Sequence, residues 1–248
     1  MFAFPSSTRV SERTSPMSDP RVRPECVERV DRDSGPVTLV GVVHDHPASC
    51  HRVRVLLEAD QPEVLALELP PLAVPLARRH ADDERTPPTL GGEMSAAVQA
   101  ADTDRVVGID GPSAGFLRAL GAALYRERAS LSTVRATVRA VRSVTASALS
   151  ARVGATIDAL TPLRVAADAP TAYDTGDDPQ RQADDERERI RRAESMLQAF
   201  TPPEATDIRR RTRESYMTRR LAAIDGAVVA VVGMAHLEPV ADRLRNAE

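Results

Sequence analysis

The sequence contains no lysine and no tryptophan, only two cysteines, and no long apolar run. Each absence removes a class of explanation. All 33 basic residues are arginine, set against 36 acids, so the net charge is -3. That balance makes no general case for nucleic-acid binding. The missing lysine reads as genome composition rather than function. Aromatic residues are 3% of the chain, too few for a platform on which bases or sugars stack. Cys26 and Cys50 belong to no Cys-x-x-Cys pair, so neither a zinc knuckle nor a disulfide framework is expected, and a reducing, cytoplasmic setting fits. No stretch approaches the ~20 apolar residues of a transmembrane helix. Residues 1–36 are rich in Ser, Pro and Arg and lack the apolar core of a secretory signal. They read as a disordered tail, with Met1 or Met17 as the start.

What remains suits one globular domain over residues 37–248. Hydrophobic residues make up 42% of the 248, enough for a substantial core. Residues 37–43, 64–68, 106–110 and 227–232 read as strands. The first and last are apolar on both faces, as in a parallel sheet covered by helices. Between them lie helical patterns at 49–59, 72–79, 91–101, 116–160 (broken near Ala129-Ser130), 183–200 and 203–223, with a closing helix at 239–245. Ser49 is a candidate cap for the first helix. Thr201-Pro202-Pro203-Glu204 looks like a capping box. Residues 162–181 read as a long loop. The alternation predicts an α/β fold with a mainly parallel sheet flanked by helices. An α-helical insertion, about 116–224, separates the third and last strands.

The four strands end in His44, Glu68, Asp110 and His236, and both histidines sit in Gly-x-x-His: Gly41-Val42-Val43-His44 and Gly233-Met234-Ala235-His236. Taken singly, a strand-end acid is most often a cap or a loop residue. Taken together, parallel strands ~4.8 Å apart put all four groups along one sheet edge. Two imidazoles with one or two carboxylates make a typical shell for a divalent metal. Gly41 and Gly233 would let the backbone turn or another element approach closely. His46 and His51 have no counterpart after His236 and are expected on solvated surfaces; His80, in a charged stretch, is expected exposed. Glu93, in Gly91-Gly92-Glu93-Met94, is either a helix-start acid or a general base. Arg213 falls on the same helix face as Met217 and Leu221, so it needs a carboxylate or an anion. It would orient Glu68 or Glu93, or stabilise an oxyanion.

These pieces in this order resemble the TraB/PrgY (Tiki-like) family. The matching segments are Leu39-Val40-Gly41-Val42-Val43-His44, Gln61-Pro62-Glu63-Val64-Leu65-Ala66-Leu67-Glu68-Leu69, Gly91-Gly92-Glu93-Met94, Arg213-Glu214-x-x-Met217, and the second Gly-x-x-His. The likeness spans about residues 37–245. It implies a fold like that of erythromycin-esterase and ChaN-like proteins, with His44, Glu68, Glu93, Arg213 and His236 as the site. Animal Tiki relatives are described as manganese- or cobalt-dependent proteases, and bacterial PrgY is linked to limiting a peptide pheromone. Family members often have Asp-Arg where this chain has Asp110-Gly111. Many microbial members carry C-terminal membrane helices, so a form without a membrane anchor is expected here.

Three readings stay open. In the first, a hydrolase acting on peptides holds a divalent ion (Mn, Co or Zn) through His44, His236, Glu68 and Asp110. Glu93 then takes the water's proton and Arg213 steadies the oxyanion. The second is a metal-independent, esterase-like hydrolase with His44 as base and Glu68 as its orienter. The third is a binding protein that sequesters a peptide or a haem-like ligand without cleaving it.

Overall fold

The computed structural model describes residues 18–160, 176, 178–199 and 203–247. Five strands form one sheet: β1 (Val27–Val30), β2 (Val37–Val42), β3 (Val64–Leu67), β4 (Val106–Gly108) and β5 (Val228–Gly233). Their order in space is β1-β2-β5-β3-β4. β2, β5, β3 and β4 run parallel, while β1 lies antiparallel on the outer side of β2. The α/β expectation therefore holds as a mixed, mostly parallel sheet. The last strand of the chain is inserted between the second and third, so the two Gly-x-x-His segments become immediate neighbours. Gly233 stands opposite Val42 in the register.

Alternate residues of the strands feed two apolar layers. Leu39, Ala66, Ala230 and Val232 pack with Met217 and Leu221 of α7 (Glu204–Ala222) and with Leu237, Val240 and Leu244 of α8 (Met234–Arg245). Val40, Val42, Leu65, Leu67 and Val231 pack with Val53, Leu56 and Leu57 of α1 (Pro47–Asp60), Val74 of α2 (Val74–Ala81) and Met94 of α3 (Gly92–Ala100). Helices thus cover both faces. The insertion comprises α4 (Ala114–Arg126), α5 (Leu131–Leu160), α6 (Pro179–Ala199) and α7. Phe116 and Leu120 of α4 meet Ile208 and Tyr216 of α7 in a separate cluster, and the Phe116 and Tyr216 rings stand edge to face at 5.8 Å.

Several expectations need correction. Residues 18–36 are not a disordered tail: Val22, Cys26 and Val30 are buried, and β1 closes the sheet. The Pro- and Arg-rich composition hid this strand. The cap of α1 is His46, whose ring accepts from the Ala48 amide, rather than Ser49. At α7 the N-cap position is Pro203, which has no side-chain cap; Thr201 lies outside the described residues. The loop expected at 162–181 also falls largely outside them, and its last three residues already belong to α6. α6 buries Gln182, Ala183 and Glu186, with Ile190 only half-buried, so it is docked mainly by polar side chains. Phe200 is outside the described residues. Among the described residues no helix is long and apolar enough to cross a membrane.

Glycines separate close approach from open space. A Cβ on Gly108 would stand 2.5 Å from the Leu69 carbonyl oxygen and 2.9 Å from the Pro71 nitrogen, whereas one on Gly121 would meet nothing within 4 Å. Gly108→Ala is therefore expected to cost about 1–3 kcal/mol through overpacking. Gly121→Ala, in mid-α4, should stabilise by about 0.5–1 kcal/mol. Urea denaturation of both variants checks the pair, and equal effects would contradict the packing described.

Candidate active site

Each candidate group enters from the carboxyl edge of the sheet. Glu68 follows β3 directly, and its amide donates to the Val231 carbonyl of β5 (3.0 Å). Asp110 lies two residues past β4 and His44 two past β2. Gly233 ends β5 and is the N-cap of α8, so His236 sits in the first turn of that helix. The two Gly-x-x-His segments are thus different devices. One imidazole comes from a turn, the other from a helix. Gly41 admits α8, because a Cβ there would fall 2.4 Å from Met234 Sδ.

Arg213 of α7 binds the two carboxylates together. Its Nη2 donates to Glu68 Oε1 (2.7 Å) and Asp110 Oδ2 (2.5 Å), and its Nε donates to both Asp110 oxygens (3.1 Å each). Glu68 Oε2 accepts from the Gly233 amide (2.6 Å). Asp110 Oδ1 also accepts from the Gly111 amide (2.7 Å). Both acids are buried, and the arginine side chain is 30% exposed. Burial opposes the guanidinium charge, but Asp110 and Glu68 outweigh it and hold Arg213 above its ordinary pKa. The expectation that Arg213 serves Glu68 is met; it serves Asp110 rather than Glu93.

His44 is 64% exposed in its side chain, and its Nδ1 lies 2.7 Å from Glu93 Oε1. Glu93 Oε2 accepts from the Asp45 amide (2.8 Å). Asp45 itself sits in the left-handed region at φ 57°, which bends the chain back towards α3. Glu93 is buried and committed at both oxygens. It therefore orients His44 and is not placed as a free general base, as the sequence suggested. The hydrogen bond to Glu93 pushes the His44 pKa up to about 9, against the opposing effect of partial desolvation. The turn is braced from below: the Val43 amide donates to Ser49 Oγ (2.8 Å), which donates to Glu186 Oε1 of α6 (2.5 Å). Fully buried Glu186 also accepts from Arg52 and Arg23.

His236 faces two acids. Its Nδ1 lies 3.4 Å from Glu214 Oε1 and its Nε2 lies 3.6 Å from Glu68 Oε1. Burial pushes the Glu214 carboxyl up, but His236 and the charges of Arg210 and Arg243 outweigh this and leave it below its usual range. An ionised carboxylate only accepts, so Glu214 can take a hydrogen bond from a proton on Nδ1. With the proton there on a neutral ring, Nε2 would turn a lone pair towards the Glu68 carboxylate. A Cβ placed on Gly233 would lie 3.4 Å from Glu68 Oε2 and 3.8 Å from His44 Nε2. The glycine keeps that space open.

The structure therefore brings His44, Glu68, Glu93, Asp110, Arg213 and His236 to one edge. Asp110 is the more heavily engaged of the two acids, with three contacts from Arg213 and one from the Gly111 amide, whereas Glu68 takes one from Arg213 and one from the Gly233 amide. Glu68 is not the orienter of His44; Glu93 is. His46 is fully buried between the α1 cap and Asp185 of α6 (Nε2 to Oδ2, 3.0 Å), and His80 is 3% exposed, so neither is a surface residue. His51, half-buried, pairs with Asp19 (3.0 Å). Sequence reasoning missed Glu214, although it adjoins Arg213 in a motif already singled out. It read Ser49 only as a candidate cap and so missed its bracing role, and it missed Glu186, which carries no local signal. Among the described residues no group of three or more His, Cys, Asp or Glu side chains is spaced to hold a metal ion as it stands. Comparison with protein-family models, curated proteins and solved structures finds no match to this chain.

The His44–Glu93 pair gives a pH signature. The folded pKa, about 9, lies above the ordinary 6.5. The pair's stabilisation is therefore complete below about pH 6.5 and is lost as pH rises through about 9. NMR titration should place the His44 midpoint near 9, and Glu93→Gln should return it towards 6.5. A wild-type midpoint at the ordinary value would contradict the pairing.

Proposed function

We propose that this chain is a metal-dependent hydrolase acting on peptides in the cytoplasm, with His44, His236 and Glu68 as donors to one divalent cation (Mn, Co or Zn). The reading fits the TraB/PrgY resemblance of the same residues. One observation carries it. His236 Nε2 and Glu68 Oε1, both electron-pair donors once Glu214 holds the Nδ1 proton, face each other at 3.6 Å. Two such atoms repel unless a cation or proton lies between them, and a metal with ~2 Å bonds spans that gap. Both imidazoles have a carboxylate at Nδ1, Glu93 for one and Glu214 for the other. This arrangement fixes ring orientation and leaves Nε2 as the ligand atom.

When bound, a divalent ion supplies a water of lowered pKa and polarises a carbonyl. The rest is done by this chain's side chains. Arg213 holds Glu68 in place, neutralises Asp110, and keeps a partly exposed guanidinium beside the space where an oxyanion would form. The Gly233 amide fixes the other Glu68 oxygen. The left-handed Asp45 and the Glu93 carboxylate set the angle of His44.

A second reading rests on Arg213, which already neutralises Glu68 and Asp110 without a metal. In it, the neutral form of His44, which a pKa of about 9 makes dominant only at alkaline pH, takes a proton from water at Nε2 while Glu93 holds Nδ1. The water attacks the carbonyl, Arg213 steadies the oxyanion, and protonated His44 returns the proton to the leaving group.

Elemental analysis of the purified chain beside His44→Ala and His236→Ala tests the first reading. The wild type should carry metal and both folded variants should lose it, with activity abolished by a chelator and restored by manganese. Arg213→Gln should cut kcat by roughly 10²–10³. Chelator-resistant hydrolysis that still needs His44 would select the second reading. Stoichiometric binding of peptides with every one left intact would overturn both.

A further inference from the structure

The chain is net acidic, yet residues 114–150 carry six arginines and a single acid, Glu127. Glu127 is committed to Arg211 of α7 at 2.8 Å. Arg126, Arg128, Arg135, Arg139 and Arg142 are exposed, and none has an ion-pair or hydrogen-bond partner among the described residues. This differs from the other surface helices. In α6, α7 and α8, Arg187, Arg189, Arg192, Arg210 and Arg245 each reach an acid three or four residues earlier on the same helix.

The same side of α5 is also apolar. Leu131 is 75% exposed, Val138 50% and Leu149 51%. Spacings of seven and eleven residues return to one side of a helix within ~20°, and Arg135 and Arg142 fall within ~40° of that line. Tyr125, 88% exposed, stands just before the turn into α5. Over the first two turns the opposite side is seated on the domain, since Thr133 and Thr137 are buried at 8% and 2%; further along that side Val144 is 46% exposed. The basic, aliphatic stripe is thus held facing outward.

We propose that this face of α5, with the turn before it, docks flat on an anionic phospholipid surface. Guanidinium forks pair with headgroup phosphates, and the long arginine stems let the charge stay at headgroup level while the aliphatic tips go deeper. Leu131, Val138 and Leu149 enter the boundary between headgroups and acyl chains along ~27 Å of helix. A nucleic acid would use the arginines but has no place for a line of exposed Leu and Val. An acidic protein would satisfy the charges without needing the aliphatics alternating among them.

Vesicle flotation of the full chain tests this with two probes: phosphatidylcholine alone, and phosphatidylcholine mixed with phosphatidylglycerol. Binding is expected only to the mixed vesicles and should weaken with added salt. Arg135→Glu/Arg139→Glu/Arg142→Glu should lower it by roughly tenfold or more. Leu131→Ser/Val138→Ser/Leu149→Ser should abolish the fraction that survives high salt. Circular dichroism checks that both variants are folded, and none of these residues touches the candidate site. No binding to mixed vesicles, or equal binding by the arginine variant, overturns the proposal. Duplex DNA binding without vesicle binding also overturns it, in favour of a nucleic-acid surface. Dimerisation lost in the aliphatic variant, again without vesicle binding, overturns it in favour of a second copy.

Discussion

A single guanidinium holds the candidate site at the carboxyl edge of the sheet together. Glu68 and Asp110 are buried side chains at the tips of neighbouring parallel strands, and both converge on Arg213 Nη2. Without a cation there, two carboxylates in a poorly hydrated corner would repel, and one would have to take a proton or turn out to solvent. Arg213 reaches them from α7 because Met217 and Leu221, four and eight residues further on, are sealed into the core beneath. The apolar seating of one helix therefore sets the charge balance of the site. Glu214, the next residue, points about 100° away around the helix and meets His236 instead. One turn of α7 thus governs the Glu68–Asp110 side and the His236 side at once.

The two histidines owe their proximity to strand order. β5 joins the sheet between β2 and β3, so the start and the end of the domain meet in its centre. How each imidazole is held differs. His236 rides on a regular helix whose first turn abuts Glu68. His44 rides on an irregular turn, and irregular backbone needs outside support to stay in one shape. That support comes from Glu93 on α3 and, through Ser49, from Glu186 on α6. A helix of the insertion, remote in sequence, thereby helps fix the group at the end of the first parallel strand.

Much of this edge was legible in the sequence because it depends on local pattern. Apolar runs mark parallel strands, and a titratable residue after each run marks the carboxyl edge. His44, Glu68, Asp110 and His236 follow from that alone, and Arg213 follows from its place on the buried face of its helix. The partners were not legible. Whether Glu93 takes a proton from water or holds a ring depends on where α3 lies relative to the β2–α1 turn, which no spacing encodes. His46 and His80 looked like surface residues because their neighbours in sequence are charged. Their burial comes from contacts with elements far along the chain. β1 was hidden for a related reason: its apolar residues are thinly spread through a Pro- and Arg-rich stretch and become a strand only against β2.

The absence of lysine acquires a structural sense at two of these places. Arg213 makes four hydrogen bonds to two carboxylates, and Arg52 makes four to the Arg21 carbonyl, Ser49 and Glu186. A lysine ammonium is a compact, strongly hydrated point charge and cannot span two acids with a planar fork. The Arg52 guanidinium joins elements that share little apolar surface, α6 to α1 and the segment before β1, while Arg213 ties α7, already seated on the sheet by Met217 and Leu221, to the tips of β3 and β4. Where a helix buries Gln182, Ala183 and Glu186 as α6 does, bidentate charge pairing is the interaction left to dock it. The insertion is thus attached in two ways. Apolar packing roots α4 and α7, and buried arginine–carboxylate contacts hold α6. The second kind is strongly directional, which suits a helix whose task includes bracing the turn that carries His44.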